Sequence, residues 1–414
     1  MSWKQKSKND WGRLDLTSDY KTTSLGAVVD FIAKGIPPKY TDEKNENSVV
    51  VLNQKTNRNF QIDYSVARLN DLTKKKVAAE KLLKDNDILI NSTGVGTAGR
   101  IAQLFSVPEP TTVDGHMIIL RADSREIDPI YLGYALKSQQ PKIESLQEGS
   151  TGQTELNRQR LLDEIQISFP KDRGKQEEIG SIFLSIDNRI EQNKEINHHL
   201  AEIAKSIFDS YFIDLSPYNG VMPDDWQLSN LTGIANYLNG LAMQKHRPQS
   251  NEQGLPVLKI KELRQGFTDS TSDLCSSNIR RDYIIHDGDV IFSWSGSLLV
   301  DFWTGGDCGL NQHLFKVSSE TYDKWFYYAW TKHHLDRFVK MAADRATTMG
   351  HIKRDALEKA EVLIPNNKDY QEIGNKLKPI YDQIINNRVE SRKLVALRDT
   401  LLPKLMSGKI SVTD

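Results

Sequence analysis

Three glycines, Gly94, Gly96 and Gly99, follow the apolar run of DILINSTGVGTAGR (87–100) with the G-x-G-x-x-G spacing of a dinucleotide-binding turn. That chemistry needs a full helix after the third glycine, because the pyrophosphate sits on the helix N-terminus and the helix returns the chain to a parallel strand. Only RIAQLFSV separates Gly99 from Pro108 and Pro110, which is too short for such a crossover. The acidic residue expected about twenty positions on would be Asp114, which stands before the apolar run HMIIL where the motif wants it after. The spacing therefore predicts a glycine-rich hairpin or bulged turn, with a nucleotide-dependent enzyme kept only as an alternative.

Other reactive side chains are no more specific. His198-His199 and His333-His334 lie in helical patterns and read as solvated faces rather than metal ligands, and His116 and His313 read as fold or turn residues rather than catalytic bases. Cys275 and Cys308 are too few and too far apart for a zinc knuckle or a disulfide framework, and read as thiols of a reducing cytoplasm. The chain shows no NPPF or DPPY motif of an adenine methyltransferase and no G-x-x-x-x-G-K-[ST] phosphate loop. Its 54 basic and 55 acidic residues exclude a uniformly basic wrapper of nucleic acid and leave local patches open. No apolar run approaches eighteen residues, so the expectation is a soluble, cytoplasmic protein with no membrane segment.

The elements that would position any site are written twice, about 200 residues apart. TTSLGAVVDFIAKG from Thr22 parallels LSNLTGIANYLNG from Leu228, VVVLN at 49–53 parallels LPVLK at 255–259, and DNDILINSTG from Asp85 parallels DGDVIFSWSG from Asp287. VDGHMIIL around His116 lies opposite LNQHLFKV around His313, and ELNRQRLLDEIQISFP opposite HIKRDALEKAEVLIP. The second copy keeps Gly296 opposite Gly94 but loses the other two glycines, which a pyrophosphate cradle would not tolerate.

Each copy closes on a long helical stripe at a constant offset of 194. Ile179, Phe183, Ile186, Ile190, Leu200, Ile203 and Ile207 answer to Ile373, Leu377, Ile380, Ile384, Leu394, Leu397 and Leu401 in steps of four and three, a heptad seam. Asn193 and Asn197 interrupt one stripe, Asn387 and Ser391 the other. Buried, these polar residues would fix the register of a helix pair; at a frayed crossing they would only face water. Helices over roughly 176–212 and 370–406 would each be about 55 Å long, and antiparallel pairing would set two heads at opposite ends about an approximate two-fold axis. Pro379 predicts a kink or a late start in the second helix. Between the stripes, strand-like runs (SVVVL, DILI, HMIIL, EIQISF, DVIFSW, EVLI) alternate with helical ones. The expected fold class is thus mixed α/β (α+β): two pseudo-repeated domains joined by two long helices paired as an antiparallel coiled coil. The boundaries read as a polar tail 1–19, a first domain 20–175, a helical spacer 176–212, a linker 213–225, a second domain 226–369, a second spacer 370–406 and a tail 407–414.

The repeat order, GDVIF with its downstream LNQHLFKV, the STGQTELNR segment and the closing LRDTLLPKLMSGKI resemble the specificity subunit of type I restriction-modification systems, over nearly the whole chain. The resemblance implies that two target-recognition domains each read half of an interrupted double-stranded DNA sequence. It implies that the helices dock two methyltransferase subunits and, through them, restriction subunits. S-adenosylmethionine, ATP and Mg would then be expected on those partners, with no cofactor, metal or catalytic residue on this chain. A coiled-coil adaptor holding two proteins apart is the other alternative. Residue types suited to phosphate and base contact nominate Lys39, Tyr40, Thr93, Arg100, Gln153, Asn157, Arg158 and Arg160 in the first head. In the second they nominate Lys245, His246, Arg247, Trp294, Ser295, Arg345, Thr347, Thr348, His351 and Lys353.

Overall fold

A computed structural model describes residues 19–148, 155–343 and 354–412. The chain forms two compact units, one of residues 1–188 with 396–414 and one of 189–395. Both are mixed α/β.

In the first unit an antiparallel sheet runs in the order Val29–Lys34, Met117–Ala122, Ile88–Asn91, Ile101–Gln103. A second sheet runs Thr111–Val113, Ser48–Leu52, Arg68–Asp71, Tyr40–Thr41, and its first two strands are parallel. The second unit repeats both. Asn236–Asn239, Leu314–Ser318, Val290–Ser293 and Leu299–Phe302 form the antiparallel sheet, and Leu255–Leu258 pairs in parallel with Cys308–Leu310 in the other. Each antiparallel sheet is covered by a helix, Pro129–Ser138 or Lys324–His333. Pro129 at the first helical position and the Asp128 side chain, accepting from Tyr131 N at 2.8 Å, fix the start of the former.

One crossing is repeated almost atom for atom. Gly35 and Gly240 run so close to the neighbouring strand that an added Cβ would lie 2.1 Å from Val113 O and 2.2 Å from Asn311 O, respectively. Their successors, Ile36 and Leu241, bridge in parallel to Asp114 and Asn311. Glycine is required there by contact with backbone, which cannot give way.

The long helices run Arg173–Phe208, continued by a π turn Asp209–Ile213, and Asn367–Met406. The second is unbroken through Pro379, so the late start expected there does not occur. Pro379 and Asn375, the residue whose carbonyl loses its partner, are both exposed, so the lost hydrogen bond lies on the solvent-facing side of the helix. In the first unit Ile179 and Phe183 share a core with Leu402, Leu405 and Met406, and Ile410 and Val412 pack against it. In the second Ala204, Phe208 and Phe212 share a core with Ile373, Leu377, Tyr381 and Ile384. Each head is therefore completed by a piece of both long helices.

The pairing within the second unit is antiparallel: Arg189 meets Glu390 at 2.9 Å, Asn193 meets Ser391 at 3.2 Å, and Asn197 Oδ1 accepts from Asn387 at 2.9 Å. A shift of 194 exchanges the Asn193–Ser391 and Asn197–Asn387 pairs. Asn193 and Asn387 are buried, so these polar residues hold one register and do not face water. Ile190 is buried as expected, while Ile186, Leu200, Ile207, Ile380, Leu394 and Leu401 are half-buried. Ile203 and Leu397, expected in the seam, are 49% and 48% exposed. A straight helix drifts about 20° per heptad, roughly 80° over the four heptads from Ile179 to Ile207. The buried face has accordingly moved on by one residue, to Ala204, Phe208 and Leu402.

His198 and His199 are exposed, as expected. So is His333, although its ring meets Trp330 edge-on; His334 is not, being buried on the Trp330 ring with Nε2 2.8 Å from Glu361 O. The stretch read as a linker is also packed, with Tyr218 against Trp226 and the Trp226 indole N–H donating to Asp369 at 2.9 Å. Among the described residues no helix is long and apolar enough to cross a membrane.

Candidate nucleic-acid interface

The glycine-rich stretch joins two antiparallel strands, Ile88–Asn91 and Ile101–Gln103, as a hairpin loop, and no helix follows it. It cannot cradle a pyrophosphate. It does carry one half of a device that both units share. After the strand, Thr93 Oγ1 lies 2.9 Å from His116 Nδ1; at the matching place Ser295 Oγ lies 3.2 Å from His313 Nδ1. Each histidine is set by an Asx turn, Asp114 Oδ1 accepting from His116 N at 2.9 Å and Asn311 Oδ1 from His313 N at 3.2 Å. Each turn is in turn pinned by the Gly35 or Gly240 crossing.

Around this repeated frame the side chains differ. In the first unit Gln54 Nε2 donates to Thr93 O and Oγ1 at 2.5 and 2.6 Å, and Leu156 N–H donates to Ser92 O at 2.7 Å, so the loops at 91–100 and 155–160 are neighbours. Lys34 pairs with Glu155. Burial, and then the charge of nearby Arg158, hold the Lys34 ammonium below its ordinary pKa. A cavity of about 620 Å³ opens between Lys34, Glu148, Glu155, Asn157 and Arg158. In the second unit Asn239 stands where Lys34 stands in the first, and accepts from the Trp294 indole N–H at 3.1 Å. The Trp294 ring stacks on Phe315 at 5.5 Å, and Gln312 Nε2 approaches His313 Nε2 at 3.3 Å.

The nominated residues divide accordingly. Lys39, Tyr40 and Arg158 are exposed and Thr93 is half-buried at the shared device. Arg68 covers the Tyr40 ring at 3.5 Å, and burial, with Asp114 nearby, raises the Tyr40 pKa. Three others have structural partners. Arg100 folds back onto Gly96 O at 2.9 Å, Asn157 caps the helix Arg158–Glu164, and Arg160 pairs with Glu148 and Glu164. In the second unit Lys245 and Arg247 are exposed, His246 and Trp294 half-buried, and Ser295 is buried on His313. Gln153, Arg345, Thr347, Thr348, His351 and Lys353 lie outside the described residues. The residues not singled out from sequence are Lys34, Gln54, Asn239 and Gln312, with His116 and His313, which the device makes part of the face. The aligned pairs KGI (34–36) and NGL (239–241) already marked the Lys34 and Asn239 positions.

No group of three or more His, Cys, Asp or Glu side chains among the described residues is arranged to hold a metal. Cys275 and Cys308 are buried free thiols, raised in pKa by burial.

Two copies of one mixed α/β domain, with a shared frame and divergent side chains, define a twin-headed recognition protein. A family model described as the type I restriction modification DNA specificity domain matches residues 17–202 and again 223–393. The chain belongs to that family: it is a specificity subunit, serving DNA target recognition in a restriction-modification system without catalysing a reaction itself. It is 25% identical over 329 residues to the type I restriction enzyme MjaIX specificity subunit of Methanocaldococcus jannaschii, covering 73% of this chain and 74% of that one. It is 19% identical over 467 residues to the HindI specificity subunit of Haemophilus influenzae, covering 95% and 100%. The crystal structure of a type I S subunit from M. genitalium shares the fold at a TM-score of 0.59 and 16% identity, over 93% of this chain and 96% of that one.

Proposed function

We propose that each unit reads one half of an interrupted double-stranded DNA sequence, through a first recognition domain 20–175 and a second 226–369, and that the helical spacers 176–212 and 370–406 set the gap and dock two methyltransferase subunits. Restriction subunits join through these, in the cytoplasm, and S-adenosylmethionine, ATP and Mg belong to the partners.

The observation that carries this reading is the hydroxyl–histidine device, built alike at Thr93–His116 and Ser295–His313 but ringed by Lys34, Gln54 and Arg158 in one unit and by Asn239, Trp294 and Gln312 in the other. A constant frame with changed donors and acceptors is what reading two different half-sites requires, since base identity is read by hydrogen-bond pattern. Docking finds support in Ile203 and Leu397, apolar, about half exposed and at matching places of the repeat; two like partners would meet the same kind of side chain at two like places.

A genome-wide map of methylated adenines with and without the gene tests the reading. An interrupted motif that vanishes on deletion is expected, and an unchanged map in a cell with active methyltransferase subunits contradicts it. Binding by the complex should also weaken steeply with salt, in proportion to the phosphates neutralised.

A further inference from the structure

Val95 is 82% exposed at the tip of the loop that carries Thr93. A lone apolar residue on a surface is ordinary, but this one is held out by an unusually committed backbone. Gly94 and Gly96 flank it at φ +110° and +69°, conformations that L side chains rarely adopt. Gly94 O accepts from Thr97 N at 3.0 Å and Ala98 N at 2.9 Å, and Gly99 N donates to Asn91 O at 2.8 Å. The Arg100 guanidinium clamps Gly96 O at 2.9 Å, and Gln54 holds Thr93 from outside the loop. The second unit has the matching glycine, Gly296 at φ +66°, but Ser297 in place of Val95.

We infer that Val95 is a specificity residue that packs on the C5-methyl group of a thymine in the half-site read by the first unit. This rests on the DNA-reading function proposed above. Among the groups on base edges in the major groove, the thymine methyl is the one apolar contact; the rest are donors and acceptors. Valine is branched at Cβ and stiff at χ1, so on a fixed loop it meets that methyl with little rotamer freedom to lose. It is not among the side chains that serve the other apolar role at DNA, the wedge between base steps, which uses Phe, Leu, Ile, Met or Pro. The hydroxyl–histidine pair beside it supplies the polar contacts that fix a base edge in place.

The test uses the full-length chain in its methyltransferase complex and a duplex carrying the mapped target, with each thymine replaced in turn by uracil, which lacks only the methyl. Burial of one methyl-sized group predicts a loss of about fourfold at one position for the wild type. That position should fall in the half-site that changes when residues 20–170 are exchanged. Val95→Ser, which introduces the residue the second unit uses, should bind the thymine duplex about fourfold more weakly and ignore the replacement. Wild-type indifference to every replacement, or a Val95→Ser complex that keeps the wild-type sensitivity, overturns the inference. A complex that selects no interrupted sequence at all instead removes the reading beneath it.

Discussion

At four places displaced by 194 residues the two units hold their long helices against the head by different chemistry. In the first, Asp187 is buried and accepts from Tyr134 at 2.9 Å, Lys137 at 3.1 Å and Arg398 at 2.6 Å. Burial drives the Lys137 ammonium down to about 8, while the cations around Asp187 hold its carboxyl below the usual range. In the second, the matching residues are Tyr328, Thr331, Tyr381 and Ala204. Tyr328 stacks on Phe302 at 3.9 Å and meets Tyr381 edge-on at 5.1 Å. A charged latch thus answers to a stack of rings on the same backbone. The frame, set by crossings such as Gly35 and Gly240 and by buried apolar volume, does not dictate the polar chemistry laid on it, which leaves the heads free to diverge in what they read.

Breaking the latch has the largest expected effect. Asp187→Ala leaves Lys137 in the interior without its ion-pair partner and Arg398 with Asp399 alone, and should cost about 3 kcal/mol, read as loss of hydrogen-exchange protection in the first unit with the second unchanged. The comparable truncation of the ring stack, Tyr328→Phe, keeps the rings and should cost under about 1 kcal/mol.

Acid should separate the units next. Burial pushes the His334 pKa down to about 4, from an ordinary 6.5. Its folded pKa lies below its unfolded one, so the stability is fully present above pH 6.5 and lost as pH falls from 6.5 through 4, by at most about 3 kcal/mol. Gln140 stands at this place in the first unit. Unfolding of the second unit should therefore steepen across that window, and His334→Gln should flatten it. A smaller effect is expected at the surface: Ile203→Asp or Leu397→Asp should weaken co-purification with methyltransferase subunits while leaving the melting temperature within about 1 °C, because neither side chain is in a core.

The repeat was legible from sequence because both copies keep the same apolar columns, from which the strands, the antiparallel hairpin at Gly94 and the long helices follow. The partners of Asp187 come from residues 134, 137 and 398, and no local pattern links them. The same holds for the C-terminal end of the second long helix, which completes the first head, and for His334, whose Nε2 partner is the carbonyl of Glu361. The seam failed at Ile203 and Leu397 because a heptad was assumed where the helix keeps 3.6 residues per turn. At the candidate interface some local engagement could have been foreseen: Asn157 opens a helix as a cap, and Arg160 lies four residues before Glu164. The burial of Ser295 could not, since it depends on the turn that brings His313 against it.

The central claim, that each unit reads its own half of one target, is tested most directly by replacing residues 20–170 with the matching segment of a related specificity subunit and mapping adenine methylation in the cell. The account predicts a new interrupted motif in which one half changes while the other half and the spacing between them stay as they were. A motif altered in both halves, or unchanged in both, would contradict it.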